Sequence, residues 1–140
     1  MMTLLRAGWM VIWLCMVGAS VAQATTKGDP LFINMTTQDA HRALMAISFG
    51  KNQLDRGHPL TLFLNDGGVL VANTANADKY PEQQKLLSAT LAAGGKVLIC
   101  AMCMQKYGVK AAQVLPGIQV SNPDLTGAAL FAPDTRTLSW

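Results

Sequence analysis

Cys100 and Cys103 are the residues of this chain best suited to covalent chemistry. Cys100 closes the run Lys96-Val97-Leu98-Ile99, and Cys103 falls in Met102–Tyr107, which reads as the start of a helix. A thiol at a helix N-terminus feels the positive end of the helix dipole, which favours the thiolate. The thiolate is the nucleophile both in disulfide exchange and in taking sulfur from a donor. A second thiol one helical turn later is within reach to resolve an intermediate on the first. The spacing alone leaves other roles open: two buried structural thiols, a simple structural disulfide, or a metal site. Zinc needs four ligands. Beyond the pair the chain offers His41 and His58 at no recognisable ligand spacing, His41 reading as helix surface and His58 as a turn residue before Pro59. Met102 and Met104 flank Cys103 and are soft enough for copper, but their setting reads as core packing. No metal or cofactor is expected.

Several apolar runs separated by helical patterns must position these thiols. Leu31–Met35 and Leu60–Asn65 read as strands, as do Lys96–Cys100, Ile118–Val120 and Thr135–Trp140. Between the first two, Ala40, Ala43, Leu44 and Ile47 recur at helical spacing. Thr36 is placed to cap that helix, with Asp39 three residues on, and Gly57 to end it. Pro81 fits the first position of a second helix that Gly94-Gly95 stops. Asp124–Phe131 reads as a further helix, with Asn122 or Asp124 as its cap. Val69–Ala72 fits one helical turn or two, and Asn73–Tyr80 reads as a loop. Strands apolar on both faces, alternating with helices, imply a covered parallel sheet. The expected fold is a three-layer α/β/α domain with a mainly parallel sheet of about five strands, of flavodoxin-like architecture.

In such folds ligands collect beyond the carboxyl ends of the strands. Those ends are Asn34–Thr37, Asn65-Asp66-Gly67 and Cys100–Cys103. Thr36, Asp66 and Gly67 are therefore the candidate substrate-binding residues, beside Cys100 and Cys103 as the catalytic pair. Other chemistries fail on particular residues. The end of the first strand and the loop after it read Asn34-Met35-Thr36-Thr37-Gln38-Asp39, which has no glycine for a phosphate loop. Asp39 lies too far along for a receiver-type acidic cluster. Neither a G-x-x-x-x-G-K-[ST] loop nor a G-x-S-x-G elbow is present.

Composition bounds the rest. Of 140 residues, 51% are hydrophobic and 14% charged, too apolar for a disordered chain. The formal charge is +3 with Lys and Arg scattered, which argues against a nucleic-acid partner. Residues 1–24 carry Arg6, an apolar run over Ala7–Ala19, and Ala22-Gln23-Ala24. That is the pattern of a cleaved signal peptide, and the run is short for a bilayer span. Ile12-Trp13-Leu14 does not make a lipobox for Cys15. A single domain over residues 25–140 follows, exported to the periplasm, with no membrane attachment after cleavage.

The segment Gly94-Gly95-Lys96-Val97-Leu98-Ile99-Cys100-Ala101-Met102-Cys103, running on to Gly108-Val109, resembles the DsrE/DsrF-like family of sulfur-relay proteins. In that family a strand ends in Cys and a Gly-hydrophobic pair follows eight residues later. Arg42-Ala43-Leu44 through Leu60–Leu64 resembles its first helix and second strand. Asn65-Asp66-Gly67-Gly68-Val69 resembles its Asp-Gly-Val turn, and Pro133-Asp134 to Trp140 its closing strand. The resemblance implies a persulfide-carrying cysteine, at Cys100 by position, and a homo-oligomer, trimeric or hexameric. Its partners would be a sulfur donor or acceptor protein, or a small sulfur compound. Relay members act in the cytoplasm, so the export pattern points this chain towards sulfur compounds outside it. A thiol–disulfide oxidoreductase and a non-catalytic binding module are the alternatives.

Overall fold

A computed structural model describes residues 28–140. The signal-peptide expectation, with Cys15, lies outside the described residues. Five strands and four α-helices alternate: β1 (Leu31–Met35), α1 (Ala40–Asp55), β2 (Leu60–Leu64), α2 (Pro81–Ala92), β3 (Lys96–Cys100), α3 (Ala101–Tyr107), β4 (Gln119–Ser121), α4 (Pro123–Leu130) and β5 (Arg136–Ser139). Every pairing is parallel, in the order β4-β3-β2-β1-β5. Among the described residues no helix is long and apolar enough to cross a membrane.

The strand order explains how the layers are filled. From β1 to β4 the chain steps in one direction, so right-handed crossovers place their helices on one face. The return from β4 to β5 runs the other way, and its helix, α4, falls on the opposite face. The side chains agree. Leu31, Ile33 and Met35 of β1 join Leu62, Leu64, Val97 and Ile99 in one buried cluster with Ala43 and Ile47 of α1 and Leu87 of α2. Phe32 and Phe63 point to the other face, with ring centroids 6.2 Å apart. That face is covered by eight residues of α4, none of them buried. The expected three layers are present, but the second helical layer is thin. The edge strands also differ from expectation: β5 is exposed along its whole length and β4 along most of it. They are bounded by solvent rather than by a neighbouring strand, so they are not apolar on both faces.

Local signals account for most boundaries. Asn122, one of the two expected caps, accepts the Leu125 N–H at 2.8 Å and starts α4 at Pro123. Gly108 has φ +69 and ends α3 in the left-handed conformation that glycine adopts without steric cost. The expected cap of α1 is corrected. Asp39, not Thr36, accepts the Arg42 N–H at 2.8 Å, and the helix begins at Ala40. Thr36 is drawn away because its N–H and its hydroxyl both donate to the main-chain oxygen of Trp140, at 2.8 and 2.6 Å. The ambiguous stretch belongs to a largely buried 3-10 segment, Asp66–Ala72, whose first residue Asp66 is exposed, and the expected loop contains a second, unburied one at Thr74–Asn76. Buried amides of α2 tie these segments and the start of α1 down. Gln84 donates to the carbonyls of Val71 and Asn73 at 3.1 and 2.9 Å, and Gln83 to that of Ala40 at 2.7 Å.

Candidate functional site

Cys100 is both the last residue of β3 and the N-cap of α3. Its backbone is still extended (φ −68, ψ 115), so its side chain folds over the first helical turn, and its sulfur accepts the Cys103 N–H at 3.2 Å. This is the position at which Ser or Asp usually satisfies the free N–H groups of a helix. The two sulfurs are joined as a disulfide, with the Cα atoms 5.2 Å apart. Both cysteines are half-buried.

The Cys103 sulfur has a second set of neighbours, supplied by the turn after β2. It lies 3.3 Å from the Asp66 nitrogen, whose N–H donates to it, and 3.1 Å from Asn65 Oδ1. As part of the disulfide this sulfur can only accept; as a thiol it can donate to Asn65. Asn65 is held in turn by its Nδ2, which donates to Asn34 Oδ1 at 3.4 Å. A thiolate at either cysteine thus meets a main-chain N–H, that of Cys103 for Cys100 and that of Asp66 for Cys103. Such charge-assisted bonds are roughly twice as strong as neutral ones.

Asp66 occupies an unusual conformation. Its φ is +42, which for a side-chain-bearing residue costs on the order of 1–2 kcal/mol. Its carboxylate is the anchor that holds it there. It accepts the Tyr107 hydroxyl at 2.8 Å and faces Lys106 Nζ at 3.5 Å. Tyr107 and Lys106 form the last turn of α3, and Cys103 its first. One short helix therefore grips the same turn at both ends. The Tyr107 hydrogen bond is the main reason that the Asp66 carboxyl sits below its ordinary range, helped by the Gly67 N–H and Lys106 against a partial loss of solvent. The same hydrogen bond to Asp66 is the main reason that the Tyr107 phenol sits above its own.

The pH consequences follow from these directions. The depressed Asp66 carboxyl favours the fold above the ordinary carboxylate range, and the contribution is lost as pH falls through its lowered value. The raised Tyr107 phenol contributes below the ordinary phenol range and loses its effect as pH rises through the raised value. Tyr107→Phe is expected to move the Asp66 carboxyl back up, as read by carbon NMR of its carboxylate. An unmoved Asp66 titration would mean that the contact is not made in solution.

The structure brings Cys100, Cys103 and Asp66 together. Thr36 and Gly67 lie at the base of the same turn: a Cβ on Gly67 would sit 3.3 Å from the Thr36 carbonyl oxygen. Gly67 is buried, and the Thr36 hydroxyl is engaged by Trp140. Strand-end reasoning names Asn34 and Asn65 as strand-end positions without assigning them a role, and it misses Tyr107 and Lys106. Two signals were available: Tyr107 is one turn beyond Cys103 on the same helix, and Asn34 is a polar residue in a buried strand. The expectation that both methionines pack in the core holds for Met104 alone; Met102 is 80% exposed at the start of α3. Among the described residues, no group of three His, Cys, Asp or Glu side chains is placed to hold a metal ion.

A parallel α/β domain with a cysteine pair where a strand passes into a helix is the class that this fold and site define. Over residues 31–130 the sequence matches the DsrE/DsrF-like family, and the chain belongs to it. None of the curated proteins matches the sequence significantly. Among solved structures, the ychN protein from E. coli superposes with a TM-score of 0.67 at 15% identity, over 81% of this chain and 100% of that one. MTH1491 from Methanobacterium thermoautotrophicum, a protein of unknown function, gives 0.63 at 16% identity, over 81% and 100%. BT1422 from Bacteroides thetaiotaomicron, a conserved protein of unknown function, gives 0.60 at 23% identity, over 84% and 99%. At these identities the likeness establishes the fold alone.

Proposed function

We propose that this protein is a sulfur carrier in which Cys100 takes up sulfane sulfur as a persulfide and Cys103 discharges it. Membership of the DsrE/DsrF-like family is consistent with a sulfur-relay role. The observation that carries the reading is the pair of sulfurs in bonding contact at the end of β3, each facing a main-chain N–H donor, that of Asp66 being shared with Asn65 Oδ1. In the loading step the Cys100 thiolate attacks the terminal sulfur of a persulfide R–S–SH. The new S–S bond forms Cys100–S–SH as R–S⁻ leaves. In the discharge step the Cys103 thiolate attacks the inner sulfur of that persulfide, forming the Cys100–Cys103 disulfide and releasing HS⁻. A dithiol partner then reduces the disulfide by exchange, and the cycle closes.

The reading extends to setting and assembly. The signal-like pattern in residues 1–24 supports export to the periplasm. The thin α4 face, where Phe131 is 83% exposed and Leu125 42%, supports a homo-oligomer, trimeric or hexameric. Incubating the reduced protein with a sulfane-sulfur donor is expected to add the mass of one sulfur atom to the peptide containing Cys100. No such adduct would reject the reading. The disulfide itself favours a second one, a thiol–disulfide oxidoreductase. That reading predicts rapid exchange with a dithiol and no persulfide on either cysteine.

A further inference from the structure

The thinly covered face of the sheet carries a cavity of about 310 Å³ between α4 and the carboxyl-terminal halves of the strands. Phe32 and Phe63 supply its aromatic floor, Thr126 and Leu130 come from α4, and Asn34 and Asn65 stand at the strand ends. Its volume is at the lower end of the range of small-molecule sites, which are mostly apolar with a few placed polar groups. Among the described residues no charged side chain lines it. The nearest candidate cation of the Cys pair, Lys106, is already paired with Asp66 and lies outside the lining.

Asn65 borders both places. It lines the cavity, its Nδ2 binds Asn34 on the cavity side, and its Oδ1 lies 3.1 Å from the Cys103 sulfur. A molecule seated on the phenylalanine floor therefore reaches Asn65, the residue that touches Cys103 of the pair, at the strand ends where α/β folds gather ligands. A charged body would gain no counter-charge there, whereas an apolar one covers the phenylalanine rings.

We infer that this cavity holds the organic group of the sulfur donor, and that the donor is a small persulfide R–S–SH whose R is apolar and uncharged. The inference rests on the persulfide reading of Cys100 and specifies its substrate. Loading follows the balance already given: the terminal sulfur passes to Cys100, and R–S⁻ leaves from the cavity as the thiol once protonated by solvent. Asn34 and Asn65 are positioning residues for the S–S group.

The test compares three donors on the reduced full chain, following sulfur adduct on Cys100 by mass spectrometry: benzyl persulfide, glutathione persulfide and inorganic polysulfide. Benzyl persulfide is expected to load faster than glutathione persulfide by at least about tenfold, the order expected for burying an aromatic ring. Thr126→Trp, which fills the cavity, is expected to collapse that ratio towards one while polysulfide loading is retained. Far-ultraviolet circular dichroism and a cooperative thermal melt show that the variant is folded. If Thr126→Trp does not fold, Thr137→Trp, in register with Phe32 on the exposed edge strand, fills the same cavity and is read in the same way. A ratio near one in the wild type, or one that neither tryptophan changes, overturns the cavity assignment and leaves the carrier reading standing. No adduct from any of the three donors overturns the carrier reading and this inference with it.

Discussion

Cys100→Ser is expected to abolish sulfur loading, and Cys103→Ser to trap it. The asymmetry follows from the positions of the two sulfurs. Cys100 caps α3, where its sulfur accepts a main-chain N–H, and in the proposed cycle it is the sulfur that takes up the incoming atom. A serine hydroxyl can replace it as a cap but not as a nucleophile towards sulfane sulfur, because that chemistry belongs to the thiolate. Against the reduced wild type the variant is therefore expected to keep its stability to within about 1 kcal/mol while its adduct falls to assay background. Cys103 acts only afterwards. Without it the persulfide has no neighbour to resolve it, and its lifetime is expected to lengthen by on the order of tenfold or more, the advantage of an intramolecular thiol. Mass spectrometry over a time course after donor removal separates the two variants. Equal adducts in Cys100→Ser and wild type would move the carrier to Cys103 and reverse the assignment.

The largest expected effect on stability lies at Gly68, a residue with no chemistry of its own. It sits in the 3-10 segment after β2, and a Cβ there would overlap the carbonyl oxygen of Met35 and come within 3.2 Å of its carbonyl carbon. Both are backbone atoms at the end of β1, so no side chain can swing aside. The Gly68 N–H also donates to the Thr36 and Asn65 carbonyls, at 3.2 and 2.9 Å, which pins the segment from the other side. Gly68→Ala is expected to cost on the order of 3 kcal/mol or more, and to lower the melting temperature by about 10 °C or more. Gly57→Ala is the control. Gly57 has φ +95 but open space around its Cβ position, so only backbone strain is added, about 1–2 kcal/mol. Thermal melts followed by circular dichroism compare them. Equal losses would mean that the segment does not pack against β1 as closely as described.

The two predictions probe different kinds of information in the chain. Cys100 at a strand end is legible without coordinates because Lys96–Ile99 is a short, mostly apolar run and the following residues change period to helical. The same holds for β1 and β2, and for the glycine stops of α1, α2 and α3. Where local reading failed, a distant contact had intervened. Thr36 has the chemistry of a helix cap, but it bonds to Trp140, 104 positions away, and leaves the cap to Asp39.

The amino-acid order alone determined which segments are strands and helices, that they alternate, and that a thiol pair stands where the third strand turns into a helix. Those features depend on neighbours within a turn or two of chain, where hydrophobic period and capping residues act directly. Only the tertiary structure decided that the Asp66 N–H meets the Cys103 sulfur across 37 positions and that Tyr107 holds the Asp66 carboxylate across 41. It also decided that one eight-residue helix covers the second face and leaves a cavity beside Asn65. These depend on the strand order β4-β3-β2-β1-β5, set by how all the apolar faces bury together, which no single segment encodes.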